Sequence, residues 1–359
     1  MKPVSCVPCV QPGRLCCALI LLSIAACSGT TSVPDTGPAE PPVVEPVDPE
    51  PPAPPVVTQR QCERYDIVSD SRGASWPFTL PAAWEDGATL VVTRMANGIA
   101  GTVDSATGTG SYQRPDSRLP DHIEYELRAA DGSLLSRYEY IWLPEPLRIM
   151  PLGDSITAGV EFFGDGVDAP AVPLRTGYRL PLYERLQAAT AVFDFIGQGG
   201  QRAGEDAGLA DPDNNGYPGV GADFIDSKLS EVLSDGDSDV LLLLIGSNDT
   251  PPDAAKITNI LDRLDAWEQS NHAVLALVAT LPPRRDGSLQ SLVEQFNNDL
   301  RPLIAARSQD LVQLVELPLG VDDISLEDKG IHPTSAGYQK MAVSWFDALV
   351  AAEAIVDCP

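Results

Sequence analysis

From residue 147 onward the chain alternates short apolar runs with longer amphipathic stretches. The runs lie at 147–152, 192–196, 240–245, 273–280 and 311–317. Between and after them, 178–189, 222–233, 254–270, 289–307 and 335–354 carry apolar residues at helical spacing. Strand–helix alternation of this kind predicts an α/β fold: a parallel sheet with helices on both faces. Such sheets bind ligands beyond the carboxyl ends of their strands, so chemistry is expected just after each run. Residues 61–146 follow a different rule. A strand is expected at 88–94, period-two alternation marks 123–128, Asp131-Gly132 signals a hairpin turn, and 136–142 returns. These features predict a small all-β, sandwich-like domain ahead of the α/β domain. Its Trp76, Trp84 and Trp142 suit a core or an exposed carbohydrate-binding face, and no ligand site is assigned to them.

The remaining N-terminal sequence carries no such pattern. Residues 33–60 form a linker with ten prolines between Pro34 and Pro55 and with Asp35, Glu40, Glu45, Asp48 and Glu50 among them. This composition favours extended, self-repelling chain, a semi-rigid stalk. In residues 1–32, Lys2 and Arg14 precede an apolar stretch at 15–26 that is too short to span a bilayer. It ends in Ile24-Ala25-Ala26-Cys27, which resembles a bacterial lipobox. That resemblance implies lipidation of Cys27 and an exported protein anchored at the outer membrane or cell surface. Ser28 is compatible with outer-membrane sorting in a Gram-negative cell. The alternative is a plain secretory peptide that leaves Cys27 as a thiol. Cys6, Cys9, Cys16 and Cys17 leave with the signal. Cys62 and Cys358 then remain in a compartment that permits disulfides. They are expected to pair, two free buried thiols being the alternative.

Composition narrows the partners. Hydrophobic residues make up 43% of the 359, enough for a sizeable core. Against 24 Lys+Arg stand 51 Asp+Glu, a net charge of −27. A chain so acidic repels nucleic acid and anionic membrane surfaces, whereas neutral substrates such as sugars remain open. A monomer is expected.

Four segments carry residues able to do chemistry. The first run leads into Gly153-Asp154-Ser155-Ile156-Thr157, placing a serine at a strand end beside backbone N–H groups that can face an oxyanion. The G-x-S-x-G elbow of ordinary α/β-hydrolases is absent. The third run leads into Gly246-Ser247-Asn248-Asp249, and a strand-end Asn amide is a good oxyanion donor. Between them lies Asn215-Gly216-Tyr217-Pro218-Gly219, where Gly219 offers an unobstructed N–H. After the last run comes Gly330-Ile331-His332-Pro333-Thr334. Of the 3 histidines, His122 stands before a strand of the β region and His272 abuts the fourth run. Only His332 follows the final strand, where a base can reach the serine; a structural role for it is the alternative. Asp154 and Asp249 are expected to fix their loops by hydrogen bonds.

Ser155, Gly219, Asn248 and His332, in that order, resemble the blocks of the SGNH (GDSL) hydrolase superfamily over residues 147–354. The resemblance implies a flavodoxin-like three-layer domain at 147–359 and ester hydrolysis without a metal or other cofactor. In it Ser155 is the nucleophile and His332 its general base, while the Ser155 N–H, the Gly219 N–H and the Asn248 amide form the oxyanion hole. Gly177-Tyr178-Arg179, Phe195-Ile196-Gly197, Gly216-Tyr217-Pro218-Gly219, Gln295-Phe296-Asn297 and the stretch from His332 to Tyr338 are similar to carbohydrate esterase family 3, the acetylxylan esterases. That similarity implies an acetylated polysaccharide such as xylan as substrate. Tyr178 and Arg179 fit either a pocket border or helix packing. Two departures stand out. Lys329 occupies the place three residues before the base where the superfamily has Asp, and Asp328 lies one further away. Asp328 orients His332 across a bulge at Gly330, or a backbone carbonyl does so, or the enzyme is impaired. Asn214-Asn215 stand where the subgroup has His-Glu, which bears on substrate detail. Residues 211–216 imitate the start of a calcium loop, but the twelfth position is Ala222 rather than Glu. A turn-rich loop is the simpler reading, with calcium on another ligand set left open. The rival functions are a lipase, thioesterase or arylesterase acting on small esters, and a degenerate, glycan-binding surface lipoprotein.

Overall fold

The computed structural model describes residues 58–66, 75–80, 87–95, 100–113, 118–160, 171–189, 191–198, 203–307, 310–326, 330–356 and 358. Cys27, the proline-rich linker up to residue 57, Trp84, Asp328 and Lys329 lie outside them, as does the side chain of Trp76.

Among the described residues, seven strands build the β region: β1 (Thr58–Asp66), β2 (Ser75–Thr79), β3 (Thr89–Met95), β4 (Ala100–Val103), β5 (Thr109–Gln113), β6 (Asp121–Arg128) and β7 (Leu134–Glu145). They form a four-stranded sheet, β1-β7-β6-β3, and a three-stranded sheet, β2-β5-β4. Period-two alternation turns Ile123, Tyr125, Tyr140 and Trp142 inward, where they meet Phe78 and Leu80. Phe78 lies edge-on to Trp142 at 5.4 Å, so Trp142 is a core residue. β1 runs parallel to β7. His122 lies within β6 rather than before it, a correction to the sequence expectation. The strand signal is weak there because Asp121 and His122 are polar, yet both are buried.

The α/β region follows almost without interruption. It contains β8 (Leu147–Gly153), α1 (Ser155–Ala158), α2 (Arg179–Ala188), β9 (Phe193–Phe195), β10 (Asn215–Gly216), α3 (Ala222–Gly236), β11 (Val240–Leu244), α4 (Ala255–Glu268), β12 (Leu275–Ala279), α5 (Gly287–Ala305), β13 (Val312–Val315) and α6 (Ser335–Ala351). The sheet order is β10-β8-β11-β12-β13, all parallel, with β9 also paired to β8. Every residue of β11 and β12 is buried, as a sheet covered on both faces requires. α3 packs on α4 and α2 on α6, giving the outer layers of a three-layer α/β fold. β8 changes neighbour part-way along: residues Leu147 to Ile149 pair with β9, and Leu152 and Gly153 pair with β10. The gap falls at Pro151, which has no N–H to donate. Cys62 and Cys358 form a disulfide across a sequence separation of 296 residues. Closing so long a loop contributes about 2–5 kcal/mol through the unfolded chain.

Candidate active site

The carboxyl ends of β8, β10 and β11 converge. Asp154 caps α1: its Oδ1 accepts from the Ile156 N–H at 2.9 Å, holding the turn that starts at Ser155. Gly216, opposite Gly153 in the ladder, has Ala158 N only 2.4 Å from where a Cβ would stand. Any side chain there would drive β10 off the nucleophile turn. Tyr217 N–H donates to the Gly153 carbonyl at 2.9 Å, and the Asn248 amide donates to the Val220 carbonyl at 3.0 Å. Gly219 therefore lies on a loop tied at both ends to the neighbouring strand ends, with open space around its Cα.

His332 arrives from the far side of the chain. Its backbone carbonyl accepts from Ser325 N–H at 2.9 Å, and the adjacent Pro333 bridges to Ile324. Arg285 Nε donates to the Ile324 carbonyl at 2.7 Å and its N–H to the Gly330 carbonyl at 3.3 Å. Gly330 adopts φ 69° and has the Arg285 Cβ 2.4 Å from where its own Cβ would be, so only glycine fits. The result is a hydrogen bond between His332 Nε2 and Ser155 Oγ of 2.8 Å, 177 residues apart in sequence.

The surroundings are polar and mostly buried. The Asp154 carboxyl is completely buried, and burial raises its pKa; the Ile156 N–H and the nearby Arg284 charge pull it back. Asn248 Nδ2 also donates to Asp154 Oδ2 at 3.3 Å, so two protein acceptors share its hydrogens. Asp249 points away: its Oδ2 accepts from Ala222 N–H at 3.1 Å and its Oδ1 from Lys256 at 3.2 Å, fastening the start of α3. Asn214 accepts from Gly216 N–H and donates to the Pro212 carbonyl, and Asn215 accepts from Gln198 N–H. In these bonds the residues at 211–216 act as a turn.

Tyr178 and Arg179 are fully buried and border no open pocket. The Arg179 guanidinium donates to the carbonyls of Thr157, Ala158, Arg175, Ala203 and Pro212, tying the nucleophile turn to two loops. Burial pushes its pKa down to about 10. Arg284 was not anticipated from the sequence. It is buried, with its guanidinium on the carbonyl of Ser247, the residue before Asn248. Its place just after β12, at a strand end, is the signal that could have found it.

The GDSL-like Lipase/Acylhydrolase family matches residues 152–340, which span all four stations. The chain belongs to this family. It is a serine hydrolase of the SGNH type, acting on esters or related acyl groups. The family match begins at Leu152 and leaves the β region outside it. Among solved structures, a Clostridium thermocellum family 3 carbohydrate esterase is 24% identical with a TM-score of 0.48, covering 59% of this chain and 99% of that one. A carbohydrate esterase family 3 from Talaromyces cellulolyticus is 20% identical, TM-score 0.46, covering 58% and 99%. The lipase/acylhydrolase from Enterococcus faecalis is 15% identical, TM-score 0.43, covering 59% and 99%. No curated protein matches the chain.

Proposed function

We propose that this chain is an exported, lipid-anchored esterase that removes acetyl groups from polysaccharide. The observation that carries the esterase chemistry is the 2.8 Å bond between Ser155 Oγ and His332 Nε2. Ser155 attacks the acetyl carbonyl while His332 takes its proton. The backbone N–H groups of Ser155 and Gly219 and the Asn248 amide stabilise the tetrahedral oxyanion. The longer Asn248 bond, to Asp154 at 3.3 Å, is the one a developing oxyanion would displace. His332 then protonates the departing sugar hydroxyl, and a water activated by the same imidazole releases acetate from the acyl-serine. A large acyl chain would need an apolar groove. The exposed large hydrophobic residues, such as Leu174, Leu289 and Val350, are instead scattered singly along the described chain. The motif similarities to carbohydrate esterase family 3 point to the same acetylated polysaccharide.

Acetate release from acetylated xylan, set against hydrolysis of p-nitrophenyl acetate and p-nitrophenyl palmitate, tests the substrate. The expected order of kcat/KM has the polysaccharide first and the palmitate last. A preference for palmitate would establish the lipase reading, and no turnover of any ester would favour the degenerate, glycan-binding one. For the anchor, mass spectrometry of the mature N-terminus is expected to find a lipidated Cys27 as first residue; an unmodified Cys27 refutes it.

A further inference from the structure

The outer face of the four-stranded sheet carries one row of charges in register. Arg60 of β1 stands beside Glu139 of β7, Glu139 opposite Glu124 of β6, and Glu124 opposite Arg94 of β3. The end members form ion pairs, Arg60 Nε to Glu139 Oε2 at 2.8 Å and Arg94 Nη1 to Glu124 Oε1 at 3.1 Å. The two glutamates at the centre face each other directly across an antiparallel pair, where like charges destabilise. One step along, the same strands set Glu126 opposite Arg137, which bonds it at 3.1 Å.

His122 shares this face, two residues before Glu124. It is only 3% exposed, and among the described residues neither ring nitrogen has a hydrogen-bond partner. Its Nε2 lies 3.6 Å from Glu124 Oε1, and its Nδ1 lies 3.8 Å from Glu353 Oε2 on the turn after α6. One donor atom each from His122, Glu124 and Glu139 lies within 4.8 Å of the others.

We propose that His122, Glu124 and Glu139, brought together on the outer face of β6 and β7, bind one divalent transition-metal ion, with Zn²⁺ as the reference ion. An imidazole with two carboxylates is a borderline donor set that suits Zn²⁺ or Mn²⁺ better than Mg²⁺ or Ca²⁺. The ion would lie between the two facing carboxylates, whose arginine partners stand at the outer ends of the row, and would give the buried imidazole a partner. Zinc–ligand bonds of about 2.0–2.2 Å require the two half-buried glutamates to draw inward by a change of rotamer. Arg60 holds Glu139 by Oε2 and leaves Oε1 to the ion, whereas the Glu124 oxygen nearest His122 is the Oε1 that Arg94 holds, so Glu124 turns its Oε2 to the ion or shares Oε1 with Arg94. Cys62 and His122 both stand opposite Ile141, so the ion would sit alongside the Cys62–Cys358 disulfide. It acts there as a second staple of the fold, outside the residues that match the hydrolase family.

The test is calorimetric titration of the chelator-stripped full chain with ZnCl₂, together with thermal unfolding. Wild type is expected to take up one more ion per chain than Glu139→Gln or Glu124→Gln, or to bind it roughly tenfold or more tighter. Zn²⁺ is expected to raise the melting temperature of wild type and not that of the variants. Metal-free Glu139→Gln should hydrolyse p-nitrophenyl acetate at the wild-type rate. His122→Gln is the third variant; should it fail to fold, the glutamine variants carry the test. Equal stoichiometry and affinity in wild type and both glutamine variants would overturn the site, as would no uptake by wild type.

Discussion

Ser155→Ala and His332→Ala are each expected to lower kcat for p-nitrophenyl acetate by roughly 10⁴-fold or more, and the double variant by little more than either. Ser155 Oγ is a poor nucleophile at its ordinary pKa. It acts here because His332 Nε2 stands 2.8 Å away to accept its proton. Without the imidazole the hydroxyl remains protonated, and without the hydroxyl the imidazole has nothing to activate. The two losses therefore share one cause and do not multiply. Residual turnover would come from the N–H groups of Ser155 and Gly219, which neither variant removes. The check is steady-state kinetics with thermal unfolding of each variant, since neither side chain is a large part of the core. A His332→Ala variant within tenfold of wild type would show that another group activates Ser155, and a multiplicative double variant would show that the two act separately.

The α/β region was legible because its signals are local. The runs at 240–245 and 273–280 contain β11 and β12, whose residues are all buried, and the amphipathic stretches overlap α2 to α6. Ser155, Asn248 and His332 were legible for the same reason, since each comes after an apolar run, whereas Gly219 rested on the resemblance. What escaped depends on contacts distant in sequence. β10 is two residues long, and Asn215-Gly216 is a strand only through its pairing with Leu152 and Gly153 of β8. No periodicity can announce so short an element. The parallel β1–β7 pairing joins residues 79 apart, such as Arg60 and Glu139, and leaves no trace in either strand. Polar side chains that turn out buried, such as His122, Arg179 and Arg284, were the hardest to place, because composition assigns such residues to the surface. For Arg179 two readings stood open, and burial decides for packing.

Arg179→Met is expected to cost the fold about 3–5 kcal/mol, a fall of roughly 10 °C in melting temperature. Its guanidinium is fully buried and donates to five backbone carbonyls, with distances from 2.6 to 3.2 Å. Those carbonyls belong to three separate segments, and no strand or helix ladder takes over if the donor goes. Methionine matches much of the volume and removes every guanidinium donor; the Pro212 carbonyl keeps its bond from Asn214, while the other four oxygens lose theirs in the interior. Lysine keeps the charge but presents three donors from one point, too few and too compact for acceptors spread around a planar fork. The pKa of about 10 leaves Arg179 charged at neutral pH, so the charge persists in the interior on carbonyl dipoles. Two of the five acceptors, Thr157 and Ala158, lie in the helix that opens at Ser155. The folded fraction of Arg179→Met is therefore expected to lose kcat more than KM, because the nucleophile is misplaced while the substrate surface is untouched. Thermal unfolding and kinetics at low temperature read the two effects separately. A melting temperature within a degree or two of wild type would mean that water replaces the guanidinium, and an unchanged kcat would mean that the Asp154 cap alone holds the nucleophile turn.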